Sequence, residues 1–313
     1  MKNEKNLLPL RKEIKRVAVV GPLAADTFHP LGGWNAQGSK DDVVSVFDGI
    51  ARKVSPRTKV LYHRGCEIEG DSGYNAQAAV KIVRQADAAI VVVGEGLDMS
   101  GEAASRSNLD LPGKQKEFVK AIVATGKPVV LVLMSGRPLT IPWEAENVPA
   151  ILEAWFLGVE AGNAIADVLF GDVNPSGKLS ATFPRSVGQI PIYYNYKNTG
   201  RPFEEKNHFT SRYLDVPNTP LYPFGYGLSY TTFSYSNLHV TNPILKAHED
   251  VKVSVDVTNT GTRIGEEVVQ LYIRDEVASV TRPVKELKGF QRVSLNAGEK
   301  KSVEFVVKHD ELG

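Results

Sequence analysis

Charged side chains are concentrated in the stretch from residue 95 to residue 110. It holds four carboxylates and one arginine: Glu95, Asp98, Glu102, Arg106 and Asp110. A carboxylate held beside an arginine can act as a general acid or base, because its protein surroundings tune its pKa toward the working pH. The same residue types are also typical of a solvated loop or of a helix start. Residue type and spacing alone leave both interpretations open.

An apolar run just before this stretch must position these groups. Residues 88–93 are apolar and mostly β-branched, and Gly94 ends the run. This pattern predicts a parallel strand that is buried on both faces. Open α/β sheets handle ligands in the loops that leave the carboxyl ends of such strands. The charged stretch is therefore expected at the functional edge of a sheet.

Strand-like and helix-like segments alternate over the first half of the chain. Apolar runs predict strands at 17–20, 60–63, 88–93, 129–134 and 150–156. Apolar residues at helical spacing predict helices at 41–53, 74–86, 114–124 and 161–170. The alternation predicts an α/β domain in which helices pack on a mostly parallel sheet.

Beyond residue 233 the apolar period changes to two. The valines at 251, 253, 255 and 257 alternate with polar residues, and the pattern returns near residues 269 and 303. Such spacing predicts short strands of an all-β sandwich. About five strands are indicated where a complete immunoglobulin-like sandwich has about seven. The sandwich is therefore expected to be incomplete.

Composition excludes several classes of partner. The 313 residues suggest about two domains, and 37 basic against 36 acidic residues leave a net charge of +1. Neither nucleic acid nor a membrane surface is an expected partner of such a chain. No apolar run reaches the roughly 20 residues of a membrane span, and the first residues do not resemble a signal peptide. The single cysteine, Cys66, is expected to be a buried thiol.

Several motifs together resemble the carboxyl-terminal portion of glycoside hydrolase family 3, of the bacterial periplasmic β-glucosidase type. They are RVAVVGPLAAD (16–26), LGGWNAQG (31–38), SGEAASR (100–106), LVLMSGRPL (131–139), FGDVNPSGKLSATFPRSVGQIP (170–191) and LYPFGYGLSYTTF (221–233). The resemblance implies a three-layer α/β sandwich with a mostly parallel sheet, followed by an incomplete fibronectin type III-like sandwich. It implies a linker from a barrel domain at 1–15, the α/β domain at 16–215, a second linker at 216–232 and the fibronectin-like domain at 233–313.

The resemblance also implies the chemistry. Family members hydrolyse terminal non-reducing β-D-glucosyl residues with retention, which requires a nucleophile and an acid/base carboxyl group. Glu102 matches the acid/base position of the family motif. The nucleophilic aspartate belongs to the barrel domain, in a motif that ends Asp-Trp, and this sequence contains no such pair. The chain alone is therefore expected to lack activity.

Three further residues are candidates for substrate binding. Glu95 is the rival to Glu102, and it could bind substrate or hold the loop. Arg106 could pair with a carboxylate or contact a sugar hydroxyl. Trp34 could stack on a sugar ring or simply cover the domain edge. No cofactor is expected, and no metal, because the histidines lack ligand spacing.

The expected partners are a small oligosaccharide or aryl β-glucoside, the barrel domain and a second copy of the chain in a homodimer. The resemblance implies a periplasmic or secreted protein. β-Xylosidase specificity is one alternative, and a carbohydrate-binding or interaction scaffold without catalysis is another. A nucleotide-binding domain is a third, but 171–178 has five residues between its glycines where a phosphate-binding loop has four.

Overall fold

The computed structural model describes residues 1–241, 244 and 249–312. The predicted second domain also includes residues 242, 243, 245–248 and 313, which lie outside the described residues. The chain forms two compact units: Met1–Val173 with Phe183–Gly188, and Asn174–Thr182 with Gln189–Gly313. Over the described ranges, no helix combines the length and apolar character needed to cross a membrane.

A six-stranded sheet forms the centre of the first unit. Its strands are β1 (Lys2–Asn3), β2 (Arg16–Val20), β3 (Lys59–His63), β4 (Ala88–Gly94), β5 (Val129–Met134) and β6 (Ala150–Glu153), in the order β1-β6-β5-β4-β2-β3. The strands from β2 to β6 are parallel, and β1 is antiparallel to β6. Every residue of β4 and β5 is buried, which confirms the prediction of a central strand at 88–93.

Helices join the strands. They are α1 (Val46–Lys53), α2 (Ala76–Gln85), α3 (Gln115–Val123), α4 (Pro142–Asn147) and α5 (Ala161–Leu169). The chain passes from β2 outward to β3 and then back across β2 to β4, so right-handed connections place α1 and α2 on opposite faces of the sheet. α1 packs on α5, and α2 packs on α3. The first unit is thus the predicted α/β sandwich with a mostly parallel sheet.

Two predicted elements, the helix at 41–53 and the strand at 150–156, have different bounds in the structure. α1 begins at Val46, because the Ser45 hydroxyl caps the helix by accepting from the Asp48 N–H at 3.1 Å. β6 ends at Glu153 rather than at 156, because Trp155 has a φ of 55°. β1 and α4 were not predicted, since two and six residues are too short to show a period.

Cys66 is buried as expected, and burial raises the pKa of its thiol to about 12.

The second unit contains antiparallel strands. They are β7 (Phe233–Val240), β8 (Val251–Asn259), β9 (Gly265–Ile273), β10 (Glu286–Leu295) and β11 (Lys300–Val307). They form one sheet of order β11-β8-β7 and another of order β10-β9. One core cluster of this unit joins residues of β8, β9, β10 and β11: Val257, Val269, Leu295, Val303 and Phe305. The described residues thus contain the five strands that the alternating pattern predicted.

Candidate functional site

Four loops leave the carboxyl ends of neighbouring parallel strands in the first unit. They follow β2, β4, β5 and β6, and the loop after β4 is the charged stretch at 95–110. The register pairs Gly94 of β4 with Met134 of β5, so the loops that begin at Glu95 and Ser135 start side by side. Gln115 holds the end of β4 in place. Its side-chain amide accepts a hydrogen bond from the Gly94 N–H and donates one to the Gly94 carbonyl, each of 2.7 Å.

Glu95 is a buried, paired carboxylate. Its side chain is 0% exposed, and Oε1 accepts a hydrogen bond of 2.6 Å from Arg106. The same oxygen lies 3.1 Å from Nε of Arg137. Oε2 accepts a hydrogen bond of 3.2 Å from the N–H of Gly136. Both oxygens of Glu95 are therefore engaged by the protein itself, as a buried carboxylate requires.

Arg106 and Arg137 approach Glu95 from two different loops. Arg106 also donates to the carbonyl of Asp110 at 3.0 Å, and it lines an open cleft of about 500 Å³ together with Glu69, Asp98 and Pro112. Sequence reasoning found Arg106 but missed Arg137. The available signal was an arginine three residues after the end of a buried strand that neighbours β4.

Glu102 lies at the exposed tip of the same loop. The two residues that flank it have positive φ, 145° at Gly101 and 57° at Ala103. This backbone turns sharply at Glu102, and glycine adopts such a conformation most easily. In the part of the chain that the structure describes, no hydrogen bond or ion pair engages the Glu102 carboxylate. It is thus free to meet a ligand or a solvent molecule.

Trp34 stands beside the Glu102 loop and is 76% exposed. A Cβ placed on Gly101 would lie 3.5 Å from Nε1 of Trp34, so the indole edge borders the residue before Glu102. A Cβ on Gly33 would lie only 2.8 Å from the carbonyl oxygen of Ser100. Glycine at this position lets the two loops touch backbone to backbone. An exposed aromatic face and an unpaired carboxylate therefore occupy one patch of surface.

Asp26 organises the loop that carries Trp34. Its carboxylate accepts from the N–H groups of Phe28 and His29, at 2.8 and 2.7 Å, and contacts the His29 ring at 2.8 Å. Burial acts to raise the pKa of Asp26, but the hydrogen bonds from His29 and Phe28 outweigh it and lower the pKa. The His29 ring in turn lies against Gly96 of the neighbouring loop. Asp26 thus braces the loop.

A second carboxylate, the partly buried Glu153, ends β6 at the same edge of the sheet. Its Oε1 accepts from the N–H of Trp155 at 3.1 Å and lies 3.4 Å from the Ser135 hydroxyl, which donates to the Arg137 carbonyl at 3.0 Å. Oε2 is buried and has no hydrogen-bond partner among the described residues. Burial raises the pKa of Glu153 to about 8, and the negative charge of Glu95 adds to the rise. With a pKa of about 8, Glu153 therefore carries a proton at neutral pH.

Comparison with known proteins decides the family. Residues 1–230 match the Glycosyl hydrolase family 3 C-terminal domain, and residues 267–313 match the Fibronectin type III-like domain. The chain belongs to glycoside hydrolase family 3. It corresponds to the carboxyl-terminal portion of the family 3 relatives, as the sequence motifs predicted.

Individual relatives match this chain over nearly its whole length. A periplasmic β-glucosidase of Salmonella typhimurium is 48% identical over 98% of this chain, and a β-xylosidase of Formosa agariphila is 47% identical over 100%. The crystal structure of a β-glucosidase from Listeria innocua in complex with glucose superposes with a TM-score of 0.92, at 42% identity over 99% of this chain. The chain spans 43% of the length of each of these three proteins.

Proposed function

We propose that this chain supplies Glu102 as the acid/base carboxyl group of a retaining, exo-acting β-glucosidase. The observation that carries the proposal is the contrast between two glutamates of one loop. Glu95 is buried and paired with arginine, whereas Glu102 is exposed and unpaired among the described residues. An acid/base group must reach the substrate to exchange a proton with it, and of these two only Glu102 is accessible.

In a retaining mechanism, two carboxyl groups about 5–5.5 Å apart act on the same glycosidic bond. Glu102 protonates the departing glycosidic oxygen while an aspartate attacks the anomeric carbon. Glu102, now a carboxylate, then takes a proton from the water that releases the sugar from the aspartate. This aspartate comes from a family 3 barrel domain, since the chain contains no Asp-Trp motif. The chain alone is therefore inactive in this proposal.

Of the remaining candidate residues, Trp34 contacts the sugar in this proposal, whereas Arg106 and Glu95 support the loop. Trp34 stacks on the sugar of the leaving group, because its exposed ring borders the Glu102 loop. Arg106 pairs with Glu95 and presents the rest of its side chain to the cleft beside the loop. Glu95 holds the loop rather than touching sugar, because both of its oxygens are occupied.

The substrate is a β-D-glucoside in this proposal. The names of the Salmonella typhimurium and Listeria innocua proteins support it, while the name of the Formosa agariphila relative favours β-xylosides as the second candidate. The first of these names also supports a periplasmic location.

A homodimer stays a prediction, and so does the domain division at residues 15, 215 and 232.

The test is hydrolysis of an aryl β-glucoside and of the matching aryl β-xyloside. The purified chain is assayed alone and after mixing with a separately produced family 3 barrel domain. We expect activity only in the mixture, with the glucoside preferred. Glu102→Ala should lower this activity by a factor of about 10²–10⁴, the usual contribution of a general acid, and added azide should restore part of it as a glucosyl azide product.

The matched control is Glu146→Gln, which changes an exposed glutamate of α4 and should leave the rate unchanged. Activity of the chain alone that depends on Glu102 would contradict the proposal, because the chain would then contain its own nucleophile. Sugar binding without turnover in the mixture would favour the non-catalytic scaffold instead.

A further inference from the structure

We propose that Arg137 is a positioning residue for Glu102, and that its guanidinium ties together the two ends of the loop that carries this glutamate. The inference rests on the proposed function of Glu102. Nη2 of Arg137 donates to the carbonyl of Met99 and, at 2.7 Å, to the carbonyl of Ala104. These two carbonyls lie on either side of Glu102 in the chain. One nitrogen thus closes the segment 99–104 into a turn with Glu102 at its tip.

The guanidinium is itself held in place. Its Nε lies 3.1 Å from Oε1 of the buried Glu95, and its side chain is only 20% exposed. The adjacent N–H of Gly136 donates to Oε2 of the same carboxylate at 3.2 Å. Glu95 follows β4 directly and Arg137 follows β5 closely, so the anchor of the turn is the sheet. A group supported by sheet strands is positioned more precisely than one supported by a loop alone.

The turn has little other internal support. The described backbone bond within it is a 3.3 Å contact from the Ala104 N–H to the Gly101 carbonyl, and residues 101–103 are exposed. Without the arginine, the ends of the turn would separate and Glu102 would sample many orientations. An acid/base group that is misplaced by about 1 Å can cost on the order of 10²-fold in rate.

Arginine is required because of its shape. A planar guanidinium presents its N–H donors in a fixed fork. Nη2 can donate to both carbonyls while the delocalised charge stays beside Glu95, which Nε approaches without a hydrogen bond. A lysine ammonium keeps the charge opposite Glu95, but it is a point donor on a flexible stem. Arg137→Lys is therefore the informative variant, because it preserves the buried ion pair and removes the fork.

The first measurement uses the chain alone and a protease that cuts after glutamate. Cleavage after Glu102, followed by mass spectrometry under native conditions, reports how often the turn opens. We expect Arg137→Lys to raise the cleavage rate at this bond at least tenfold, without changing the rate of global unfolding. Arg52→Met, which changes an exposed arginine of α1, is the matched control and should leave the cleavage rate unchanged.

The second measurement uses the mixture with the barrel domain and two substrates. Dinitrophenyl β-glucoside has a leaving group that needs no proton, whereas methyl β-glucoside depends on the acid. We expect Arg137→Lys to lower kcat/KM for the methyl glucoside at least tenfold more than for the dinitrophenyl glucoside. A merely structural loss would remove active protein and would lower both values equally.

Two results would overturn the inference. One is an unchanged cleavage rate after Glu102, and the other is an equal fall of kcat/KM for both substrates. These differ from failure of the proposed function, which would show as a wild-type mixture that hydrolyses neither substrate. In an active mixture, an equal fall would count against Arg137 alone and would leave the role of Glu102 standing.

Discussion

At the scale of single residues, the candidate site contrasts three glutamates by their surroundings. Glu95 is buried among two arginines and a backbone N–H, so its charge is balanced. Glu153 is partly buried, no cation pairs with it among the described residues, and burial raises its pKa to about 8. Glu102 is exposed at the tip of its loop. Environment rather than residue type therefore separates a supporting carboxylate, a neutral one and a candidate acid.

The raised pKa of Glu153 predicts how stability depends on pH. The folded state keeps a proton that the unfolded state releases near the ordinary pKa of 4.5. The contribution of Glu153 to stability is therefore fully present below pH 4.5 and is lost as pH rises toward about 8. Glu153→Gln keeps an acceptor for the Trp155 N–H and removes the titration.

The measurement is urea unfolding at several pH values for both proteins. We expect the difference in free energy of unfolding, variant minus wild type, to increase with pH across this interval and to level off above it. A constant difference would show that Glu153 ionises in the folded state with an ordinary pKa, and the opposite slope would show that folding lowers its pKa. Glu146→Gln, at an exposed glutamate of α4, is the control.

Gly136 allows the loop after β5 to approach the loop that carries Glu102. A Cβ on Gly136 would lie 2.1 Å from the Ser100 hydroxyl oxygen and 2.4 Å from Ser100 Cβ. Gly136→Ala should therefore displace the start of the SGEAASR motif and weaken the Gly136 N–H bond to Glu95. We expect increased cleavage after Glu102 by the glutamate-specific protease. Unchanged cleavage would mean that the two loops move apart without cost to the turn.

At the scale of elements, strand register brings the site together. Gly94 and Met134 are partners across β4 and β5, so the loops that follow them emerge at adjacent points. A shift of the register by one residue would rotate side chains to the other face of the sheet. The pairing of Glu95 with Arg137, which is 42 residues distant in the chain (137 − 95), follows from this alignment. The alignment of the strands in the sheet thus brings the loops of the candidate site together.

The contact between α1 and α5 is a second element-scale feature, and it depends on two glycines. A Cβ on Gly49 of α1 would lie 2.2 Å from the carbonyl oxygen of Gly162 in α5. Gly49→Ala must therefore push the helices apart, and we expect a loss of about 1–3 kcal/mol of stability, typical of overpacking. Thermal or urea unfolding measures it.

Gly200→Ala is the matched control, because a Cβ there meets nothing within 4 Å and φ is not in the left-handed region. It should be neutral or slightly stabilising. Equal stability of the Gly49 and Gly200 variants would show that α1 can move away from α5 at no cost.

At the scale of the whole molecule, the chain has two compact units with separate cores. The core of the first is the sheet with its helices, and Ile122 of α3 is fully buried in it. A core cluster of the second includes Phe305 of β11. Each unit buries apolar residues from its own strands, so each is expected to unfold as a cooperative group.

This organisation predicts two separable unfolding transitions. Phe305→Ala should destabilise the second unit by about 3–5 kcal/mol and Ile122→Ala the first by about 2–5 kcal/mol, the usual cost of removing large core side chains. In calorimetry, each variant should shift a different transition. Equal shifts of a single transition by both variants would show that the chain unfolds as one cooperative unit.

The sequence by itself determined most of the elements and the family, and it indicated the candidate site residues. β-branched runs marked the strands at 88–93 and 129–134 because local sterics and burial favour them there. Family motifs pointed to Glu102 and Trp34. Only the tertiary structure decided which polar side chains meet, because Glu95 lies beside Arg137, and Glu153 beside Ser135, at the ends of different strands. Such contacts depend on strand order and register, which no local pattern in the chain encodes.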